Sequence, residues 1–185
     1  MVSYYEKPII DTRRMVKFNQ VKERHMNFLS SILWKLTGDQ ALFRKAMQYA
    51  LFEMWKNLET IQGKGVQEHL YQIVLSANTH AWDLCPAGAN RLDDTKDKPL
   101  LSRLFQGRAQ LAQRVRWGLS QLHPQQTLAI VLRYMERQDY STIAHRLGCH
   151  PLLVHFHISK AVDALRDKLQ TLSLSACNLF DTRVA

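Results

Sequence analysis

The chain has 185 residues, enough for one ordinary domain or two small helical ones. Apolar residues make up 46% of it, with only 7 Gly and 5 Pro, which argues against a disordered or loop-rich all-β protein and makes helix the expectation. A formal charge of +9, spread along the chain, suits a polyanionic partner such as nucleic acid.

No run approaches the ~20 apolar residues of a bilayer span, and the polar start Met1 to Arg14 is unlike a signal peptide. A cytoplasmic protein without membrane contact is expected. Cys85, Cys149 and Cys177 lie far apart with no CxxC pair, so they are read as reduced thiols.

Residues 1–83 form the first predicted unit, a bundle of three to four helices. Its amino end is basic through Arg13, Arg14, Lys17, Lys22 and Arg24, either as a solvated helix face or as a phosphate-tracking stripe. Phe28, Leu29, Ile32, Leu33 and Leu36 follow helical spacing. After Thr37-Gly38-Asp39, where Thr37 or Asp39 can cap a helix, the spacing returns. It runs through Leu42, Phe43, Ala46, Met47, Ala50, Leu51, Met54, Trp55 and Leu58. Gly63 and Gly65 interrupt the pattern, and Leu70, Ile73, Val74 and Ala77 resume it.

Residues 84–106, with Pro86, Gly88, Pro99 and the run "RLDDTKDK", read as a linker. Residues 107–185 form the second predicted unit, a four-helix domain carrying a helix-turn-helix. Helix resumes near Gly107 with a stripe of Leu111, Val115 and Leu119, and another helix starts near Pro124. Ser141 is the expected cap of a short helix to Leu147, with Ile143, Ala144 and Leu147 inward. Gly148 then supplies the left-handed turn, and Pro151 opens a second helix whose buried stripe is Val154, Ile158, Ala161 and Leu165. The order Ala144, Gly148, Val154 matches the helix-turn-helix, which needs a small residue at the crossing, Gly in the turn and a branched apolar anchor beyond.

The segment "LHPQQTLAIVLRYMERQDYSTIAHRLGCHPLLVHFHISKAVDALRDKL" resembles region four of bacterial RNA polymerase sigma factors, especially the two-domain extracytoplasmic-function type. The family's cadence falls on Leu122, Leu132-Arg133-Tyr134, Tyr140, Ile143-Ala144, Leu147-Gly148 and Leu165-Arg166. "MQYALFEMWKNLETI" is similar to region two through Gln48, Leu51 and Trp55, and "HLYQIVLSANTHAW" stands where the next helix of that region does. The resemblance implies a protein that is no enzyme and needs neither cofactor nor metal. It would bind core RNA polymerase through a helix here carrying Arg44, Lys45 and Gln48, open and read promoter DNA, and be open to restraint by an anti-sigma protein. On this alignment Tyr71, His80 and Trp82 stand where an unpaired base can stack, or else complete the bundle core.

The reading helix departs from the family. Its candidate DNA contacts are Ser141, His150, Leu152, Leu153, His155, Phe156, His157, Ser159 and Lys160, a set poor in the donors that read base edges. The helical wheel turns Leu152, Phe156, Ser159 and Asp163 outward, with His155 and Lys160 at the flanks. Three uses stay open for that face. It can lie on thymine methyls with His155, Ser159 and Lys160 on phosphates, gripping harder once histidines protonate near or below pH ~6.5. It can be a hydrophobic contact for another protein, in which case the chain is a sigma-like adaptor. Or the helix can rotate to bury Phe156. His145, Cys149, His150, His155 and His157 do not suggest a metal site, because helix positions two apart diverge by some 200°. A Gly-rich phosphate loop, HExxH and GxSxG are all absent from the sequence.

Overall fold

The computed structural model of the chain describes residues 12–62, 65–84 and 100–181, with side chains excepted at 62, 100–107 and 171–181. These residues are all-α, with no strand among them. None of their helices is long and apolar enough to cross a membrane.

Helix α1 (Thr12–Thr37) buries Leu29, Ile32, Leu33 and Leu36 on the stripe its spacing predicts. It stops where Thr37 turns its hydroxyl back onto the Leu33 carbonyl at 2.8 Å. Gly38 then takes φ 59°, and Asp39 caps α2 (Gln40–Lys56) by accepting from the Ala41 and Leu42 amides at 2.8 and 2.9 Å. Of the two possible caps, Asp39 is the one used, because Thr37 is buried inside the preceding helix. A short 3-10 turn (Thr60–Gln62) leads towards α3 (Val66–Asp83). Helix α2 packs along α3, and Ala46 and Ala50 on one and Ala77 and Ala81 on the other are fully buried. Small side chains at those positions let two helix backbones approach, and each large one beside them contributes roughly 1.5–3 kcal/mol by burial.

The expected linker lies largely outside the described residues, but its end is already helical. Helix α4 (Leu100–Ser120) begins at Leu100 rather than near Gly107. Leu100, Leu101, Leu104 and Phe105 already carry helical spacing, which the preceding charged run masks. On α4, Leu119 is buried and Val115 half-buried, as the stripe predicts, but Leu111 is exposed.

Helix α5 (Pro124–Ile130) is capped by His123 and passes into a π-helical turn (Val131–Met135), closed by the Glu136 amide on the Val131 carbonyl at 3.0 Å. Arg137 then adopts φ 55°, held by the Gln138 amide on Leu132 (2.9 Å) and by Arg133 on the Gln138 carbonyl (3.0 Å). Helices α6 (Tyr140–Leu147) and α7 (Pro151–Asp181) follow, and α4, α5 and α6 all pack on α7.

The segments on either side of 84–106 touch. Helices α1 and α3 pack on α4, α3 also packs on α5, and the buried apolar residues form one cluster from Val21 to Ala161. Polar contacts border this junction. Thr79 donates to the Ser120 carbonyl at 3.2 Å, Arg116 Nε to the Lys35 carbonyl at 3.0 Å, and Lys35 pairs with Glu136 at 2.8 Å. Gly38 is required twice over, since a side chain there would be strained by the positive φ and would meet the Arg116 guanidinium. Gly38→Ala is expected to cost about 1–2 kcal/mol in urea unfolding, through left-handed strain and displacement of Arg116 from Lys35.

Candidate nucleic-acid interface

The helix-turn-helix is assembled from local hydrogen bonds around a small core. Asp139, not Ser141, caps α6. Its carboxylate accepts from the Thr142 amide at 2.8 Å, from Ser141 Oγ at 2.8 Å and from Thr142 Oγ1 at 2.9 Å. The expectation for Ser141 is corrected here. Helix starts two residues sooner, at Tyr140 rather than Thr142, so Asp139 stands three residues before the amide to be satisfied.

These hydrogen bonds, the Thr142 amide first, hold the Asp139 carboxyl at about 2, below its ordinary 3.8. Because that value is depressed, the cap's stabilisation is present above pH 3.8 and is lost as the pH falls through about 2. On the other side of α6, Ile143 and Ala144 are buried and Leu147 half-buried.

Gly148 ends α6 at φ 63°, and two bonds close the turn: its amide reaches the His145 carbonyl at 3.3 Å and the Cys149 amide reaches Ala144 at 3.0 Å. This double closure needs a left-handed residue, which Gly supplies without cost to its neighbours. Cys149 is a free thiol, half-buried; Cys85 and the side chain of Cys177 fall outside the described residues. His150 Nδ1 accepts the Leu152 amide at 3.3 Å, so that ring nitrogen serves the start of α7.

Burial of Val154, Ile158 and Ala161 sets the rotation of α7. The same rotation leaves Leu152, Leu153 and Phe156 exposed by 77%, 49% and 53%, which excludes the alternative in which Phe156 turns into the core. Ser159, Lys160 and His155 are exposed as well, while His157 is half-buried with its ring edge-on to Phe156 at 6.2 Å. Lys160 Nζ lies 5.7 Å from the Phe156 ring centre. His155 lies 6.3 Å from the ring of Tyr140, over which Arg133 stacks at 4.6 Å. One face thus combines an apolar centre with cationic flanks. Among the described residues no three His, Cys, Asp or Glu side chains converge as a metal site requires.

Ser141 is more constrained than a free phosphate donor. Its hydroxyl proton goes to Asp139, and it borders a cleft of about 400 Å³ between α6 and the start of α3, lined by Gln67, Glu68, Ser141, Thr142, His145 and Arg146.

The first unit is partly corrected. Arg44 and Gln48 share an exposed face of α2, and Lys45 beside them is half-buried. Phe52, one turn beyond Gln48 and exposed, continues that stripe. Sequence reasoning passed over it because Leu51 and Trp55 match the family cadence, although the interval of four from Gln48 was there to be read.

Tyr71 and Trp82 cannot stack on a base in this arrangement. They are 3% and 2% exposed. Tyr71 lies edge-on to Phe28 at 5.0 Å, with the Arg146 guanidinium 5.5 Å from its ring centre. Both rings complete the bundle core, where each removes a large apolar surface from water. His80 is half-buried and stacked on Tyr49 at 4.2 Å, at the rim of a cavity of about 370 Å³ between α3 and the α4–α5 corner.

The basic amino end is likewise engaged. Arg14 donates to the Trp55 carbonyl at 3.0 Å and lies over its ring at 5.0 Å, and Lys17 stands 3.9 Å from Glu59.

Comparison of the chain with protein-family models returns no match, and no curated protein matches it either.

Proposed function

We propose that this chain is a sigma factor-like transcription initiation factor, which binds core RNA polymerase and directs it to promoter DNA while reading that DNA weakly by itself. The observation that carries the reading is the α6–Gly148–α7 unit, whose second helix leaves its first turns facing solvent. In such a motif those turns enter the major groove. Lys160 and His155 lie at the edges of that face, where phosphates run, Ser159 continues its outward line, and the apolar centre meets the base edges. The exposed stripe Arg44, Gln48 and Phe52 on α2 is the surface offered to polymerase.

A second reading, a sigma-like adaptor that works through protein contacts such as an anti-sigma protein, draws its support from the exposed Leu152, Leu153 and Phe156. The two are separated by Lys160→Ala. For a DNA contact, affinity falls across all sequences and the slope of log affinity against log salt shrinks by about one phosphate's worth. For a protein contact neither changes. The decisive experiment is co-purification with core RNA polymerase followed by transcription of a genomic library. Retained polymerase and defined start sites are the expected result. A chain that does not hold polymerase refutes the proposal.

A further inference from the structure

We infer that the head of α7 recognises the C5-methyl groups of two nearby thymines, so that Leu152 and Phe156 are the specificity-determining residues of the interface; this rests on the DNA-binding reading above. Three observations lead there. Between Pro151 and Lys160 there is no Arg, Asn or Gln, and the one Lys, Lys160, lies beside the Phe156 ring, so the centre of the face lacks the side chains that most often read guanine and adenine. What protrudes instead is aliphatic and aromatic, and the apolar feature a base pair displays in the major groove is the thymine methyl. Finally, the surround is suited to a polyanion rather than to an apolar or basic protein surface.

That surround is specific. The same ten residues contain no carboxylate, Lys160 lies beside the Phe156 ring, and Arg133 stacks on Tyr140 next to His155. Asp163, one turn beyond Ser159 on the outward side, is paired with Arg166 at 3.2 Å, and Asp139 is held by its capping bonds to α6. Along the helix, Leu152 and Phe156 are separated by about 6 Å, far enough for each to meet a different base pair. Two thymine methyls therefore match them better than one.

The test changes the DNA and leaves the protein intact. Duplexes enriched from a random pool by the full chain bound to core polymerase are resynthesised with deoxyuridine for thymidine, which removes only the methyls. Each methyl lost from an apolar contact is expected to weaken binding roughly fourfold, so that a two-methyl site loses at least tenfold. The combined variant Leu152→Ser, Phe156→Ser is expected to bind both duplexes equally, at the level of wild type on the uracil form. Equal binding of thymine and uracil duplexes by wild type overturns the inference while leaving the DNA-binding reading in place. A uracil penalty that persists in the variant overturns it too, since the methyls would then act through the shape of the DNA. A pool from which no duplex is enriched removes both the inference and the reading beneath it, and assigns the face to a protein.

Discussion

Val154→Asp is expected to unfold the helix-turn-helix, whereas Leu152→Asp, two residues earlier on the same helix, leaves it folded and weakens the proposed DNA binding by more than about tenfold. Val154 is fully buried where α7 meets α6, among Ile143, Ala144 and Ile158. A carboxyl placed there would sit within an apolar cluster. It must be buried without a partner or protonate, and with the valine's own burial lost the cost is about 4 kcal/mol or more. A domain stabilised by about 5–15 kcal/mol cannot absorb that without a visible fall in its unfolding midpoint.

Leu152 is solvent-facing and lies in the first turn of α7, where a carboxylate interacts favourably with the helix dipole. The same substitution there is expected to change stability by no more than about 0.5 kcal/mol. On the proposed DNA-binding reading it exchanges an apolar base contact for a charge that phosphates repel, so affinity for the enriched duplexes should drop more than about tenfold. Urea unfolding followed by far-UV circular dichroism, with fluorescence anisotropy on labelled DNA, reads both arms. A Leu152→Asp protein that binds DNA as wild type does would remove this face from the interface.

Trp82 is where the second large effect is expected, and it separates a packing role from a base-stacking one. The ring is nearly fully buried, and its Nε1 has no hydrogen-bond partner. Trp82→Ala should cost about 3–5 kcal/mol through lost transfer energy and the cavity left behind. Trp82→Phe keeps most of the apolar volume and removes the unpartnered donor, whose burial costs roughly 1–3 kcal/mol, so the net change should stay within about 1.5 kcal/mol. Promoter opening, followed by permanganate reactivity of unpaired thymines, should survive Trp82→Phe. Loss of opening in a variant of near wild-type stability would show that the indole does more than fill the core.

How much of this was legible in the chain itself differs by element. The faces of α2 and α3 were readable, because a helix that buries one side must repeat its apolar residues at that period, and Leu42, Ala46, Ala50 and Met54 do so. Gly148 was readable because few residues tolerate its backbone angles. The rotation of α7 followed from Val154, Ile158 and Ala161. The cap of α6 was harder, since Asp139 and Ser141 are both capping types and the choice depends on which residue begins the helix. The start of α4 was obscured by the dense charge just before it.

Local pattern and turn chemistry were thus determined by the sequence alone: an all-helical chain, two helices joined through Gly148, and an apolar, donor-poor outward face on the second of them. Only the tertiary structure decided which aromatics have a free surface. Tyr71 and Trp82 carry the same helical signature whether they face a core or a ligand, and Arg146 and Phe28 against Tyr71 come from distant parts of the chain. The junction between the two segments was decided there too. Lys35 meets Glu136 and Arg116 reaches the Lys35 carbonyl across sequence separations of 101 and 81 residues. A periodicity shows that a face will be buried; what buries it depends on where the chain returns in space, and no local pattern encodes that.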